Sequence, residues 1–82
     1  MTTPLSIMGI LVDDRAKVAP EVQEVITKFG SEILCRMGIP GSDKERGLIT
    51  LVIESDLDEL MKFRRELEAI SGLTVQTLSF PQ

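Results

Sequence analysis

The amino-acid sequence predicts an α+β fold in which one four-stranded antiparallel sheet carries two helices on one face. The first observation is the order of the apolar segments along the 82 residues, which is β-α-β-β-α-β. This order is a known supersecondary arrangement, the split βαβ unit. The second observation is that no linker, low-complexity tract or charge block interrupts the sequence. We therefore expect residues 1–82 to form a single domain.

The first half of the chain has the pattern of strand, helix and strand. Residues 6–12 and 33–39 are apolar runs of strand length. Between them, residues 18–29 have apolar side chains three or four positions apart, as on one stripe of a helix. This stripe consists of Val18, Val22, Val25, Ile26 and Phe29. Pro20 falls in the first turn, where proline is tolerated, and Gly30 is expected to end the helix in the left-handed conformation.

The second half repeats the pattern. Residues 48–53 and 73–80 are strand-like, and a helix is predicted between them, with Asp56 or its neighbour Ser55 as the cap. The predicted core stripe of this helix consists of Leu57, Leu60, Met61, Phe63, Leu67 and Ile70. Residues 40–47 are polar and rich in helix and strand breakers, so they predict a hairpin loop between the second and third strands.

Two of the strands are apolar on both faces. Residues 7–12 and 48–53 show almost no alternation of polar and apolar side chains, and Thr50 is their only polar residue. In this topology they are the two central strands, so the sheet face away from the helices would expose apolar side chains to water. We therefore expect this face, or the sheet edge beside it, to pack against another copy of the chain.

The composition argues against several kinds of function. Nine basic and thirteen acidic residues give a net charge of −4, which disfavours direct binding to nucleic acid. The absence of Trp and Tyr removes the stacking surface of an RNA-binding sheet. Because the chain has no His and only one Cys, Cys35, it offers no internal disulfide and no His-based metal site. We expect no metal and no cofactor.

The sequence also favours a soluble, cytoplasmic protein. Residues 1–4 carry no basic side chain ahead of the apolar stretch, so the start of the chain does not resemble a secretory signal. That stretch, residues 5–12, is too short to span a bilayer. Neither predicted helix has the basic face that would bind it to an anionic membrane surface.

Candidate catalytic residues are few, and we do not expect an enzyme. His, Tyr, Trp and Asn are absent. The adjacent Asp13 and Asp14 could bind a hard cation or act as an acid and base pair, but their place after the first strand favours a turn and a helix cap. A small isomerase that uses Asp13 or Asp14 is the alternative, and it would require that carboxylate to lie in an apolar pocket. Cys35 shares the two-residue spacing of the apolar residues in its strand, so we expect it to face the core.

Cationic side chains occur on or beside the predicted hairpin. Arg36, Lys44 and Arg46, together with Lys17, could form an anion site at a boundary between subunits. A solvated charged loop is the simpler interpretation, because nothing in the sequence fixes the distances between these side chains.

Two parts of the sequence resemble known families. Asp14-Arg15-Ala16-Lys17-Val18, followed by an amphipathic helix, resembles the opening of ACT domains, which are small βαββαβ regulatory modules with Asp-Arg-Pro-Gly-Val at this point. The run Arg-Met-Gly-Ile-Pro at residues 36–40, followed by Arg46-Gly47, is similar to short stand-alone proteins described as regulators of the iron-only hydrogenase system. The second resemblance covers essentially the whole chain.

The resemblance implies a ferredoxin-like, ACT-like domain that assembles as dimers or tetramers and acts as a regulatory module, with a small effector bound between subunits. In such assemblies the loop after the first strand and the second strand converge at subunit boundaries. The ligand-binding residues that this implies are Asp14, Arg15, Lys17 and Arg36. A purely structural assembly protein is a further alternative.

Two departures limit what the resemblance implies. ACT domains that bind amino acids commonly have Gly where this chain has Lys17, so amino-acid binding does not carry over. Nickel-responsive regulators have a similar domain but hold their metal through histidines, which this chain lacks. The sequence also shows no separate DNA-binding segment before Ser6, so we expect any effect on transcription or maturation to act through a partner.

Overall fold

The computed structural model describes residues 3–13, 15–40 and 46–80, and its elements follow the predicted β-α-β-β-α-β order. The strands are β1 (Leu5–Val12), β2 (Ile33–Pro40), β3 (Gly47–Glu54) and β4 (Leu73–Phe80). The helices are α1 (Arg15–Lys28) and α2 (Leu57–Glu68), with a short 3-10 turn at Gly30–Glu32. The predicted hairpin loop falls mostly on residues 41–45, which lie outside the described residues. Within the described stretches, neither helix is long and apolar enough to cross a membrane.

The strands form one antiparallel sheet in the order β2-β3-β1-β4, so β1 and β3 are central as predicted. Met8 on β1 lies opposite Leu51 on β3 and Thr77 on β4. Successive side chains of a strand point to opposite faces of the sheet. The neighbouring Ile7, with Val52 and Leu78 beside it, therefore points to the other face. This register separates a face covered by the helices from a face that they leave open.

One hydrophobic core lies between the helices and the covered face of the sheet. The fully buried members include Met8, Ile10, Leu51, Phe63 and Leu67. The rings of Phe29 and Phe63 stack with their centres 4.7 Å apart and join the two helices. Leu57 and Met61, which we predicted in the core stripe of α2, are exposed. The prediction was wrong for these two because they lie about 90° and about 130° around the helix from the centre of the buried stripe of Leu60, Phe63 and Leu67.

The two helices end in different ways. Gly72, just before β4, has φ of 89°, and its carbonyl oxygen accepts a hydrogen bond of 2.9 Å from the backbone N–H of Asp13. Gly30, which we expected in the left-handed conformation, instead begins the 3-10 turn after α1. Among the glycines of the described stretches, only Gly72 has a positive φ. The tighter turn after Phe29 makes a left-handed residue unnecessary at Gly30.

An irregularity in β2 decides which of its side chains face the helices. The pairing of β2 with β3 shifts between Ile33, which lies opposite Ile53, and Cys35, which lies opposite Val52. Ile33 packs against the core, whereas Cys35 is exposed on the open face. The prediction that Cys35 faces the core was therefore wrong. A shift of one residue in register reverses the faces for the rest of a strand.

The open face of the sheet is apolar, which confirms the prediction from β1 and β3. We call this surface the outer face, and the register assigns its positions. They are Leu5, Ile7, Gly9 and Leu11 of β1, Leu48, Thr50, Val52 and Glu54 of β3, Cys35, Met37 and Ile39 of β2, and Thr74, Gln76, Leu78 and Phe80 of β4. Most of its large apolar side chains are exposed. Coverage of the outer face by a second copy stays a prediction.

The difference between Gly72 and Gly30 can be tested by replacing each with alanine. Gly72→Ala should lower the free energy of unfolding by about 1–2 kcal/mol, because a Cβ atom disfavours positive φ. Gly30→Ala, where no atom lies within 4 Å of the new Cβ, should leave stability unchanged or raise it by up to about 1 kcal/mol. Urea denaturation measures both, and an equal loss in the two variants would contradict the assignment of φ.

Candidate functional site

A cleft of about 220 Å³ lies between α1 and the β2–β3 hairpin. Its interior is apolar and includes Val12 from the end of β1, Val22 from α1 and Ile49 from β3. Polar side chains border it at Arg36 and Gln23, both of which are exposed. For the part of the chain that the structure describes, the cleft therefore combines an apolar interior with one cationic lining side chain, that of Arg36.

The cleft exists because the residues that face one another across it are small. Gly38 lies opposite Ile49, which places it on the covered face of the sheet, and no atom lies within 4 Å of a Cβ added to it. Ala19 lines the cleft from α1. Under α2, by contrast, the large side chains of Phe63 and Leu67 are fully buried. The sequence of β2 thus leaves a gap on the α1 side of the molecule.

Arg36 has a neutral partner. Its Nη2 donates a hydrogen bond of 3.1 Å to Oε1 of Gln23, which connects β2 to α1 across the cleft. Within the described stretches, Gln23 is the one residue that pairs with this guanidinium. An amide oxygen leaves the full positive charge uncompensated, so the guanidinium can pair with an incoming anion.

The structure places one of the four predicted ligand residues at the cleft. Arg36 lines it, whereas Lys17 is exposed on α1 and is not among the lining residues. Asp14 lies outside the described residues, and Arg15 begins α1 but its side chain is not described. Whether any of these residues binds a ligand stays a prediction.

Sequence reasoning missed Gln23 and Gly38 as site residues. Gly38 follows Arg36 at the two-residue spacing of one strand face, but this signal becomes useful only once the shift in β2 is known. Gln23 has no distinguishing neighbour in the sequence. Its position becomes significant only when α1 is packed over β2.

The carboxylate that the structure describes near the end of β1 does not lie in an apolar pocket. Asp13 is exposed, and it does not line the cleft. Its backbone N–H is bound to Gly72, so its local role is to hold the end of β1 against the turn before β4. Among the described residues, no group of three or more potential metal-ligating side chains could hold a metal ion.

The sequence and the fold both match known proteins. A family model called TM1266-like, with the provisional description of iron-only hydrogenase system regulator, matches residues 4–77. The chain belongs to this family. The structure of the uncharacterized protein TM1266 from Thermotoga maritima is 32% identical in sequence, with a TM-score of 0.88 over 94% of this chain and 96% of that one. Among curated proteins, none matches the chain.

More distant structures share the fold of this TM1266-like protein. The ACT domain of GTP pyrophosphokinase from Chlorobium tepidum has a TM-score of 0.70 at 24% identity, over 99% of this chain and 92% of that one. SnoaB, a cofactor-independent oxygenase from Streptomyces nogalater, has a TM-score of 0.59 at 11% identity, over 98% and 93% of the two chains. The ACT domain confirms the predicted ferredoxin-like, ACT-like fold, and the oxygenase shows that enzymes also use this architecture.

The empty space at Gly38 predicts that a larger side chain can be added there. Gly38→Val should fill part of the cleft and raise the free energy of unfolding by about 1–2 kcal/mol, because valine favours strand geometry and buries apolar surface. Gly9→Val is the control for strand preference, since it adds the same side chain to the outer face away from the cleft; below the concentration at which chains associate, that side chain stays largely in water. Thermal denaturation measures both, and a destabilised Gly38→Val variant would show that the cleft is not free space.

Proposed function

We propose that this TM1266-like chain is a non-enzymatic regulatory module of an iron-only hydrogenase system. In this proposal it associates with a second copy through the outer face and senses a small ligand. Membership of the family and the ACT-like fold support the regulatory role. The apolar outer face is the structural observation that supports association, because extended exposed apolar surface marks a site at which proteins associate.

The residues of the cleft support binding rather than catalysis. Among the lining residues that the structure describes, only Arg36 has an ionisable side chain, and a guanidinium donates hydrogen bonds but offers no acceptor for a proton. General acid and base chemistry needs a group that can gain and lose a proton within reach of the substrate. The exposed position of Asp13, away from the cleft, gives no support to an isomerase that uses this carboxylate.

The size of the outer face fits a dimer. Four strands of eight residues, at about 4.8 Å between strands and about 3.3 Å per residue, give a surface of roughly 500 Å². Two copies face to face would bury about 1,000 Å² in total, which is the size at which specific interfaces begin. A second copy can therefore cover the exposed side chains of the whole sheet in one contact.

The charge of the outer face also favours a second copy. Glu54 is the only charged side chain among its described positions, and it lies opposite Leu5 at one end of the sheet. A nucleic acid or a strongly charged peptide would find no complementary charge on this surface. An apolar face with a single charge at its end is complementary to a copy of itself, so a twofold axis between the two sheets satisfies both partners.

A single charge at Leu78 should prevent this association. Leu78 is 58% exposed, so Leu78→Glu should leave the folding of one chain almost unchanged. In the dimer the same carboxylate would be buried without a partner, which should raise the dissociation constant at least about a hundredfold. Sedimentation velocity at micromolar concentration should show an assembly of wild-type chains and a single chain for the variant.

Leu57→Glu is the matched control for this experiment. Leu57 is 53% exposed but lies at the first position of α2, away from the outer face. This variant should associate like the wild type. Cys35 provides a second readout, because its labelling by a thiol reagent should slow with rising concentration of wild-type protein and not of Leu78→Glu. A wild-type chain that sediments alone, with labelling independent of concentration, would contradict association through this face.

The regulatory role can be tested in a host that makes an iron-only hydrogenase. Deleting the gene for this chain should change the hydrogenase activity of cell extracts. Expression of the wild type or of Leu57→Glu should restore that activity, whereas Leu78→Glu should not, because it lacks the associated form. Equal hydrogenase activity with and without the gene would refute the regulatory role.

A further inference from the structure

We infer that the cleft between α1 and the β2–β3 hairpin binds a small monocarboxylate with a compact apolar group. In this complex the carboxylate pairs with Arg36, and the apolar group lies against Val22 and Ile49. The inference rests on the proposed function, because it names the chemical class of the ligand that the regulatory module would sense.

The interior of the cleft determines the apolar part of the ligand. Val12 and Val22 are buried and Ile49 is half-buried, and these three side chains form its walls. An apolar group placed among these side chains is removed from water, and its binding leaves no polar group of the walls buried without a hydrogen bond. The volume of about 220 Å³ lies below the range of about 300–1,000 Å³ typical of pockets for drug-sized molecules, which limits the ligand to a small one.

Arg36 determines the charged part of the ligand, and a comparison with Arg64 shows why. Arg64 donates hydrogen bonds to Thr77 Oγ1 at 2.8 Å and to the carbonyl oxygen of Val75 at 3.3 Å. Its Nε also lies 3.4 Å from Oε2 of Glu68, so its charge is compensated within the chain. The guanidinium of Arg36 bonds only to the neutral amide of Gln23 among the described residues. Arg36 thus retains N–H groups in the fork geometry that a carboxylate accepts.

The same residues favour one negative charge over two. Among the lining residues within the described stretches, Arg36 is the single cationic one, whereas a phosphate dianion is normally held by several donors and cations. Gln23 can add a hydrogen bond to the second carboxylate oxygen through its amide N–H group. One guanidinium and one amide therefore match the two oxygens of a carboxylate.

Isovalerate is a suitable probe, because it joins one carboxylate to a branched apolar group. Increasing concentrations of isovalerate should raise the melting temperature of the wild-type chain progressively, as mass action requires. Isovaleramide has the same shape without the charge and should have a much smaller effect. Inorganic phosphate, which has charge without an apolar group, should also have a smaller effect. A larger effect of either control compound than of isovalerate would overturn the inference.

Substitutions at the two ends of the cleft locate the site. Arg36→Gln should weaken isovalerate binding at least about tenfold, because it removes the charge-assisted hydrogen bonds. Arg65→Gln removes the same charge from an exposed position on α2 and should bind isovalerate like the wild type. Gly38→Val should weaken isovalerate binding by taking up part of the cleft, whereas Gly9→Val should leave it unchanged. Binding by Arg36→Gln at the wild-type affinity would overturn the assignment of the carboxylate to this residue.

Sedimentation of the same samples separates this inference from the proposed function. A chain that associates but shows no stabilisation by isovalerate would contradict the monocarboxylate site and leave the proposed association intact. A chain that binds isovalerate through Arg36 but sediments alone would contradict association through the outer face and support the site. If the cleft binds isovalerate, the amide signals of Gly38 and Gly47 in a ¹H–¹⁵N spectrum should shift whether or not the chain associates, since both residues line the cleft.

Discussion

The alternation of side chains between the two faces of a strand is the constraint on which this molecule depends. Only one face of the sheet is covered by α1 and α2, and β1 and β3 place apolar side chains on both. Met8 and Leu51 are buried in the core, while their neighbours Ile7 and Val52 lie on the outer face. The chain therefore contains more strongly apolar surface than its own helices can cover.

The irregularity in β2 affects both faces at once. Because the pairing shifts after Ile33, the strand continues with Arg36 and Gly38 under α1 and with Cys35 and Met37 on the outer face. The first pair gives the cleft a charged border and an open interior. The second pair extends the apolar outer face to the edge of the sheet. One local feature of the backbone thus produces the candidate site and enlarges the candidate interface.

The sequence predicted the elements well because their periodicity is strong and local. The strand at 73–80 was predicted correctly, and Asp56, one of the two predicted caps of α2, accepts the backbone N–H of Glu59 through its Oδ1 at 2.8 Å. The orientation of Cys35 was not predictable, because apolar residues at two-residue spacing fit either face of an edge strand. Gln23 could not be identified either, since its proximity to Arg36 arises from the packing of α1 over β2. The likeness to ACT assemblies singled out Arg36 as a ligand-binding residue at a boundary between subunits. The structure places it instead at a cleft formed within one chain.

Ile39 and Leu48 lie opposite each other across β2 and β3, and they contribute both to the lining of the cleft and to the outer face. A molecule held in the cleft would therefore lie beside the same pair of residues that a neighbouring chain would cover. If ligand binding changes the free energy of association, thermodynamic reciprocity requires that association changes the free energy of ligand binding by the same amount. The amount of protein in the cell would then tune its response to a metabolite, and the metabolite would tune its assembly.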